Sequence, residues 1–112
     1  MPAEDLPAPV AAFIDATNAG DSAAFVAAFT PDAELDDWGR VVHGSEGVAS
    51  WNETDNIGVR SHFDLVDWHR EGDDVVAELR VSGDGFNGTG PMRFTIRDGR
   101  IARLVIAPTP GH

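Results

Sequence analysis

The spacing of hydrophobic positions changes along the chain, and each change marks an element. Leu6, Val10, Phe13, Ile14 and Thr17 recur at helical spacing, which predicts a first helix with one apolar face. Asp5 can cap it, Pro7 and Pro9 are tolerable only in its first turn, and Gly20 suits a left-handed terminus. Asp21 or Ser22 caps a second helix that buries Phe25, Val26 and Phe29 and stops at Thr30-Pro31. A strand is expected over Ala33–Trp38. Gly39 then allows a turn, and Arg40–His43 can pair as a short second strand. Gly44-Ser45 opens a third helix with Val48 and Trp51 inward and Asp55 next in line, fraying near Asn56–Gly58.

The second half reads as sheet. Ser61–Arg70 is a strand, Glu71-Gly72-Asp73 a turn, and Asp74–Ser82 a strand with Val75, Ala77, Leu79 and Val81 on one face. Gly83–Gly90 is a long, mobile Gly-rich connection. Pro91–Arg97 and Arg100–Ala107 flank Asp98-Gly99, a strong hairpin signal because a type I′ turn needs positive φ at both positions. A two-residue loop pairs Ile96 with Ile101, Phe94 with Arg103 and Met92 with Val105. Met92, Phe94, Ile96, Ile101 and Val105 then form the core face, and Arg93, Thr95, Arg97, Arg100, Leu104 and Ile106 the outer face. Residues 1–5 read as a loose lead-in and 108–112 as a disordered tail. Three helices with a strand pair among them, then a four-strand meander, predict an α+β fold with the helices packed on one side of a curved, mostly antiparallel sheet.

Composition narrows the chemistry. A length of 112 residues predicts one domain spanning 1–112. A formal charge of −11 argues against nucleic acid or an anionic membrane surface as partner. The sequence contains no Lys and no Cys, which removes Schiff-base chemistry, thiol nucleophiles, disulfides and Cys-based metal sites. The N-terminus lacks the pattern of a signal peptide, and no apolar run has the length of a membrane span, so a cytoplasmic protein is the default. His62, Asp64, Asp67 and His69 have the residue types of a metal site. Simple alternation puts 62 and 64 on one strand face and 67 and 69 on the other, so no metal and no cofactor is expected.

Asp37 is the leading candidate for chemistry. Along the first strand Ala33, Leu35 and Asp37 share one face, and Glu34, Asp36 and Trp38 the other. A carboxylate among small apolar neighbours is the kind that can act as general base near neutral pH. Asp36 takes its place if the facing is reversed. His43 is a second acid/base candidate, or else caps the third helix. Trp38 and Trp51 either line a pocket or pack in the core.

The segments AAFIDATNAGD (11–21), FTPDAELDDWGRVVHGSEGV (29–48) and MRFTIRDGRI (92–101) resemble the SnoaL-like branch of the nuclear transport factor 2-like superfamily. The resemblance implies a cone-shaped α+β barrel, a cavity for a hydrophobic small molecule lined by Phe13, Trp38, Trp51, Phe63 and Phe94, and a homodimer. Asp37 falls where the ketosteroid isomerases of that superfamily have their proton-shuttling Asp. Phe13 stands where they have an oxyanion-hole Tyr, and Gly90 near their protonated Asp, so both oxyanion donors are missing. In the epoxide hydrolases of that fold an Arg-x-Asp pair is expected; here it reads Arg80-Val81-Ser82.

Three functions stay open. One is a binding module for a hydrophobic small molecule. Another is a cofactor-free isomerase, cyclase or dehydratase with Asp37 moving a proton. The third is an interaction protein that uses the outer sheet face, where Leu104 and Ile106 suggest a two-fold homodimer. The surroundings of Asp37 discriminate. A closed apolar pocket favours the enzyme; solvent or a salt bridge to Arg40 favours the others.

Overall fold

A computed structural model describes residues 5–85 and 87–106; the expectations for residues 1–4, for Ala107 and for the 108–112 tail lie outside them. Helices α1 (Ala8–Ala19) and α2 (Ser22–Ala27) lead into strands β1 (Phe29–Asp37) and β2 (Arg40–His43). Helix α3 (Gly44–Asp55) and a 3-10 turn (Ile57–Val59) follow. Strands β3 (His62–Glu71), β4 (Asp74–Ser82), β5 (Gly88–Arg97) and β6 (Arg100–Ile106) complete the chain. The strand order is β2-β1-β6-β5-β4-β3. Every pairing is antiparallel except β1 with β6, which is parallel. The result is the expected cone-shaped α+β arrangement, with three helices on one side of a curved sheet.

Phe13 is the hub of the core. Its ring lies 5.3 Å from Phe25, 6.2 Å from Phe29, 5.2 Å from Phe63 and 5.2 Å from Phe94, so one side chain joins α1 to α2, β1, β3 and β5. Aromatic pairs at such separations add to the stabilisation from burial alone. The end of α1 is also tied to β3 by polar bonds. The Asn18 side-chain amide donates to the Phe63 carbonyl at 2.9 Å and accepts from the Phe63 N–H at 2.8 Å.

Several local expectations are corrected. Helix α2 ends at Ala27, before Thr30-Pro31, because Phe29 already pairs with Ile101 in β6 and the Ala28 carbonyl accepts the Ile101 N–H at 2.8 Å. Pro31 lies where the β1–β6 register shifts, a place that tolerates a residue without an N–H. The Asp98-Gly99 turn has the expected positive φ at both residues and pairs Ile96 with Ile101. One residue further on, Ala102 forms a bulge and the register slips. Phe94 therefore faces Leu104, and Arg93 faces Val105. Leu104 is 0% exposed in the core, Ile106 packs against the core from the same face, and Val105 turns outward. The apolar pair from which a sheet-to-sheet homodimer was inferred does not face outward. That face carries ion pairs instead, including Arg103 with Glu34 at 2.9 Å and Arg93 with Asp74 at 2.9 Å.

A second bulge, at Val66, revises β3. Beyond it the facing inverts, so Phe63 and Trp68 are both buried while His62, Asp64, Asp67 and His69 are all exposed. The four share a face after all. They are spread along an extended strand at about 3.3 Å per residue, too far apart to converge. Among the described residues no group of three His, Cys, Asp or Glu side chains is placed to hold a metal. No helix among them is long and apolar enough to cross a membrane.

The bulge at Ala102 carries a direct test. Leu104→Ala should cost about 2–5 kcal/mol in urea denaturation, as for a fully buried leucine. Val105→Ala should cost about 0.5 kcal/mol. An unbulged hairpin would reverse that order.

Candidate functional site

A cavity of about 570 Å³ opens between α3, the 3-10 turn and the sheet. Its apolar wall comes from Phe63 on β3, Val81 on β4, Pro91 and Met92 on β5, Ile106 on β6 and Val59 of the 3-10 turn. Trp51 closes it from α3, and Trp38 stands at the rim. The rim is built by close backbone approach. A Cβ on Gly58 would sit 1.4 Å from the Glu53 carbonyl oxygen, so only glycine lets the 3-10 turn fold back on α3. The expected mobile connection is short and anchored, because the Asp84 N–H donates to the Val59 carbonyl at 2.8 Å and the Asn87 side chain to the Gly83 carbonyl at 2.9 Å.

Asp37 reaches this cavity as the strand alternation predicts, on the face of the fully buried Ala33 and Leu35. Its side chain is 22% exposed. The Trp51 indole N–H donates to its Oδ2 at 2.9 Å, and an Arg40 nitrogen stands 3.5 Å from the same oxygen. Arg40 is more closely engaged with Asp55 on α3, whose Oδ2 also accepts the Thr54 hydroxyl at 2.6 Å. Asp37 and Arg40 face each other because they flank the β1–β2 turn. That turn has positive φ at Trp38 (54°) and Gly39 (90°), the left-handed pair usual in two-residue hairpins. A tryptophan there is costly for the backbone. It also breaks the alternation, and Trp38 reaches the cavity rim at 57% exposure rather than joining Glu34 and Asp36 outside. Asp36 accepts the Gly39 N–H at 2.8 Å and does not line the cavity.

The other expected site residues divide. Trp51 and Phe63 line the cavity. Phe13 and Phe94 are fully buried one layer behind it, in ring contact with each other. His43 is not brought to Asp37. It pairs across the strands with Glu34, with its ring nitrogen 3.9 Å from that carboxylate and its side chain 70% exposed, and it makes no capping hydrogen bond to α3. The salt bridge to Arg40 that the sequence offered as one alternative for Asp37 is present as a 3.5 Å approach, but the engagement of Arg40 with Asp55 was not expected. Sequence reasoning missed Asn56, which belongs to a buried polar network with Asn52 and Thr17.

Residues 10–104 match the family model of the SnoaL-like domain. The chain belongs to the SnoaL-like family. A candidate polyketide cyclase from Sinorhizobium meliloti is 30% identical, with a TM-score of 0.81 over 94% of this chain and 98% of its own. More distant solved structures share the fold. A candidate ketosteroid isomerase from Kribbella flavida is 15% identical, with a TM-score of 0.76 over 96% of this chain and 84% of its own. Rv0760c from Mycobacterium tuberculosis, solved in complex with estradiol-17β-hemisuccinate, is 14% identical, with a TM-score of 0.76 over 87% of this chain and 88% of its own. No curated protein sequence matches the chain.

The indole bond to Asp37 can be weighed directly. Trp51→Phe keeps a ring against Phe25, 6.1 Å away in the native chain, and removes the donor together with part of the buried indole. It should cost about 2 kcal/mol or more in chemical denaturation, of which about 1 kcal/mol is the hydrogen bond. Arg40→Gln, at an exposed ion pair, should stay within about 0.5 kcal/mol.

Proposed function

We propose that this SnoaL-like domain binds a hydrophobic small molecule in the cavity under α3, with Asp37, Arg40 and Asp55 at its polar end. The observation that carries the reading is the cavity itself. Its volume of about 570 Å³ falls in the usual range for small-molecule sites, and its wall is mostly apolar, with Asp37, Arg40 and Asp55 together at one end. The contacts of Asp37 favour binding over catalysis. Arg40 and Trp51 both engage its Oδ2, as a structural carboxylate is engaged. Similarity to a candidate polyketide cyclase and to a protein solved with a steroid ester supports a flat, multi-ring ligand.

One observation favours a second reading. Oδ1 of Asp37 has no partner among the described residues, and the side chain lines the cavity, so a proton on a bound molecule could be taken there. The activity would be that of a cofactor-free isomerase, cyclase or dehydratase acting on an already activated substrate. No oxyanion donor of the kind expected from Tyr or a protonated Asp stands at positions 13 or 90.

A neutral fused-ring probe such as 2-naphthylmethanol should quench tryptophan fluorescence saturably. Ile106→Trp, which fills the cavity from β6, should weaken that binding by about tenfold or more while the far-UV spectrum stays native. Binding that ignores Ile106→Trp would place the ligand elsewhere. On the second reading, Asp37→Asn loses turnover of a verified substrate far more than it loses binding.

A further inference from the structure

The polar end of the cavity is unequal in donors and acceptors, and that inequality bears on the ligand. Asp37, Asp55 and Arg40 meet there with a formal charge of −1, on a chain whose own charge is −11. Arg40 is committed first to Asp55, and its 3.5 Å approach to Asp37 is long for a charge-assisted hydrogen bond. Asp37 accepts a hydrogen bond only from a neutral indole, on Oδ2. Its Oδ1 has no partner among the described residues. Asn56, buried in the wall, gives its side-chain N–H groups to Thr17 Oγ1 at 2.9 Å and Asn52 Oδ1 at 3.2 Å, while its own buried Oδ1 accepts nothing. Two acceptors at this end are therefore without a side-chain partner: Asp37 Oδ1, on a side chain 22% exposed at the cavity, and the buried Asn56 Oδ1, where an unpaired polar atom is costly.

A carboxylate ligand fits this end badly. It would lie beside Asp37, and the one cation it could seek stands between two carboxylates already. A ketone could take an N–H only from the outer nitrogens of the 57%-exposed Arg40, and it leaves Asp37 Oδ1 unpaired. An ammonium group brings charge and several N–H donors to Asp37, and the Trp38 ring at the rim adds aromatic surface that attracts a cation. Resting on the binding function proposed above, we infer that the ligand is a hydrophobic amine. Its ammonium group pairs with Asp37 Oδ1, and its apolar body lies among Phe63, Val81, Met92 and Ile106.

Three probes with one skeleton test this on the full chain: 2-naphthylmethylamine, 2-naphthylmethanol and 2-naphthoate, titrated at neutral pH by calorimetry with and without added salt. The amine should bind about tenfold or more tighter than the naphthoate, with the alcohol between them. Salt should narrow the gap. In Asp37→Asn the amine should fall to the level of the alcohol. Arg40→Gln, which removes the competing cation, should strengthen the amine and weaken the naphthoate, and it serves in its own right if Asp37→Asn does not fold. Naphthoate binding as tightly as the amine, or an amine preference that survives in Asp37→Asn, overturns the inference. If the alcohol binds and the amine has no advantage, the cavity still binds apolar molecules and only the amine assignment falls. If none of the three binds, both fall.

Discussion

Trp51 holds together two parts of the molecule that hydrophobic packing alone would not keep in register. Its ring stacks on Phe25 of α2, and its N–H reaches Asp37 at the end of β1. The last turn of α3 is pinned separately. Asn52 donates to Ser22 on α2 at 3.1 Å, and Asn56 donates to Thr17 on α1 at 2.9 Å. Among the described residues, helix α3 is thus fixed to the other helices along one side and to β1 by one side-chain hydrogen bond, beside the core packing of Val48. The Phe13 cluster fills the cone on the α1 side of Phe63. On the other side Val81, Pro91, Met92 and Ile106 form the wall, and the cavity is the space between them and α3. A directional bond to a half-buried carboxylate does what a larger core residue could not: it sets the position of the helix without filling the space beneath it.

Much of this was legible in the sequence because the informative patterns are local. Period-two spacing from Ala33 to Asp37 put Asp37 on the face of two buried neighbours, and the structure agrees. The Asp98-Gly99 turn announced its own type. What was not legible depends on long-range pairing. Nothing in the sequence around Ala102 or Val66 signals an extra residue in the ladder, yet each bulge inverts the facing of every side chain beyond it. That inversion moved Leu104 into the core and gathered four polar residues on the outside of β3. Trp38 lies at the cavity, as the family resemblance implied, although strand alternation points it outward; alternation assumes extended backbone, and its φ is positive. His43 was a candidate by residue type alone, and residue type does not say which end of a strand faces a cavity.

The site has a different balance from one built to polarise a carbonyl. Catalysis of enolisation needs donors aimed at the developing oxyanion. Here the indole N–H is taken by Asp37 itself and the Arg40 Nη2 by Asp55. The polar groups around the cavity instead hold one another in place and leave acceptors over. Such an arrangement suits recognition of a molecule by shape and by its own N–H or O–H groups.

The central claim is that a small molecule occupies the space between Trp51 and the sheet. The chain has three tryptophans, and they report on it separately. Trp51 and Trp38 line the cavity, whereas Trp68 is buried on β3 beneath the Arg70 guanidinium and outside the lining. Two-dimensional ¹H–¹⁵N NMR of the indole N–H groups during titration with 2-naphthylmethanol is therefore the most direct measurement. The account predicts that the Trp51 and Trp38 resonances move along a common saturation curve while Trp68 stays in place. A shift of Trp68 with Trp51 unmoved, or no shift in any of the three, would contradict it.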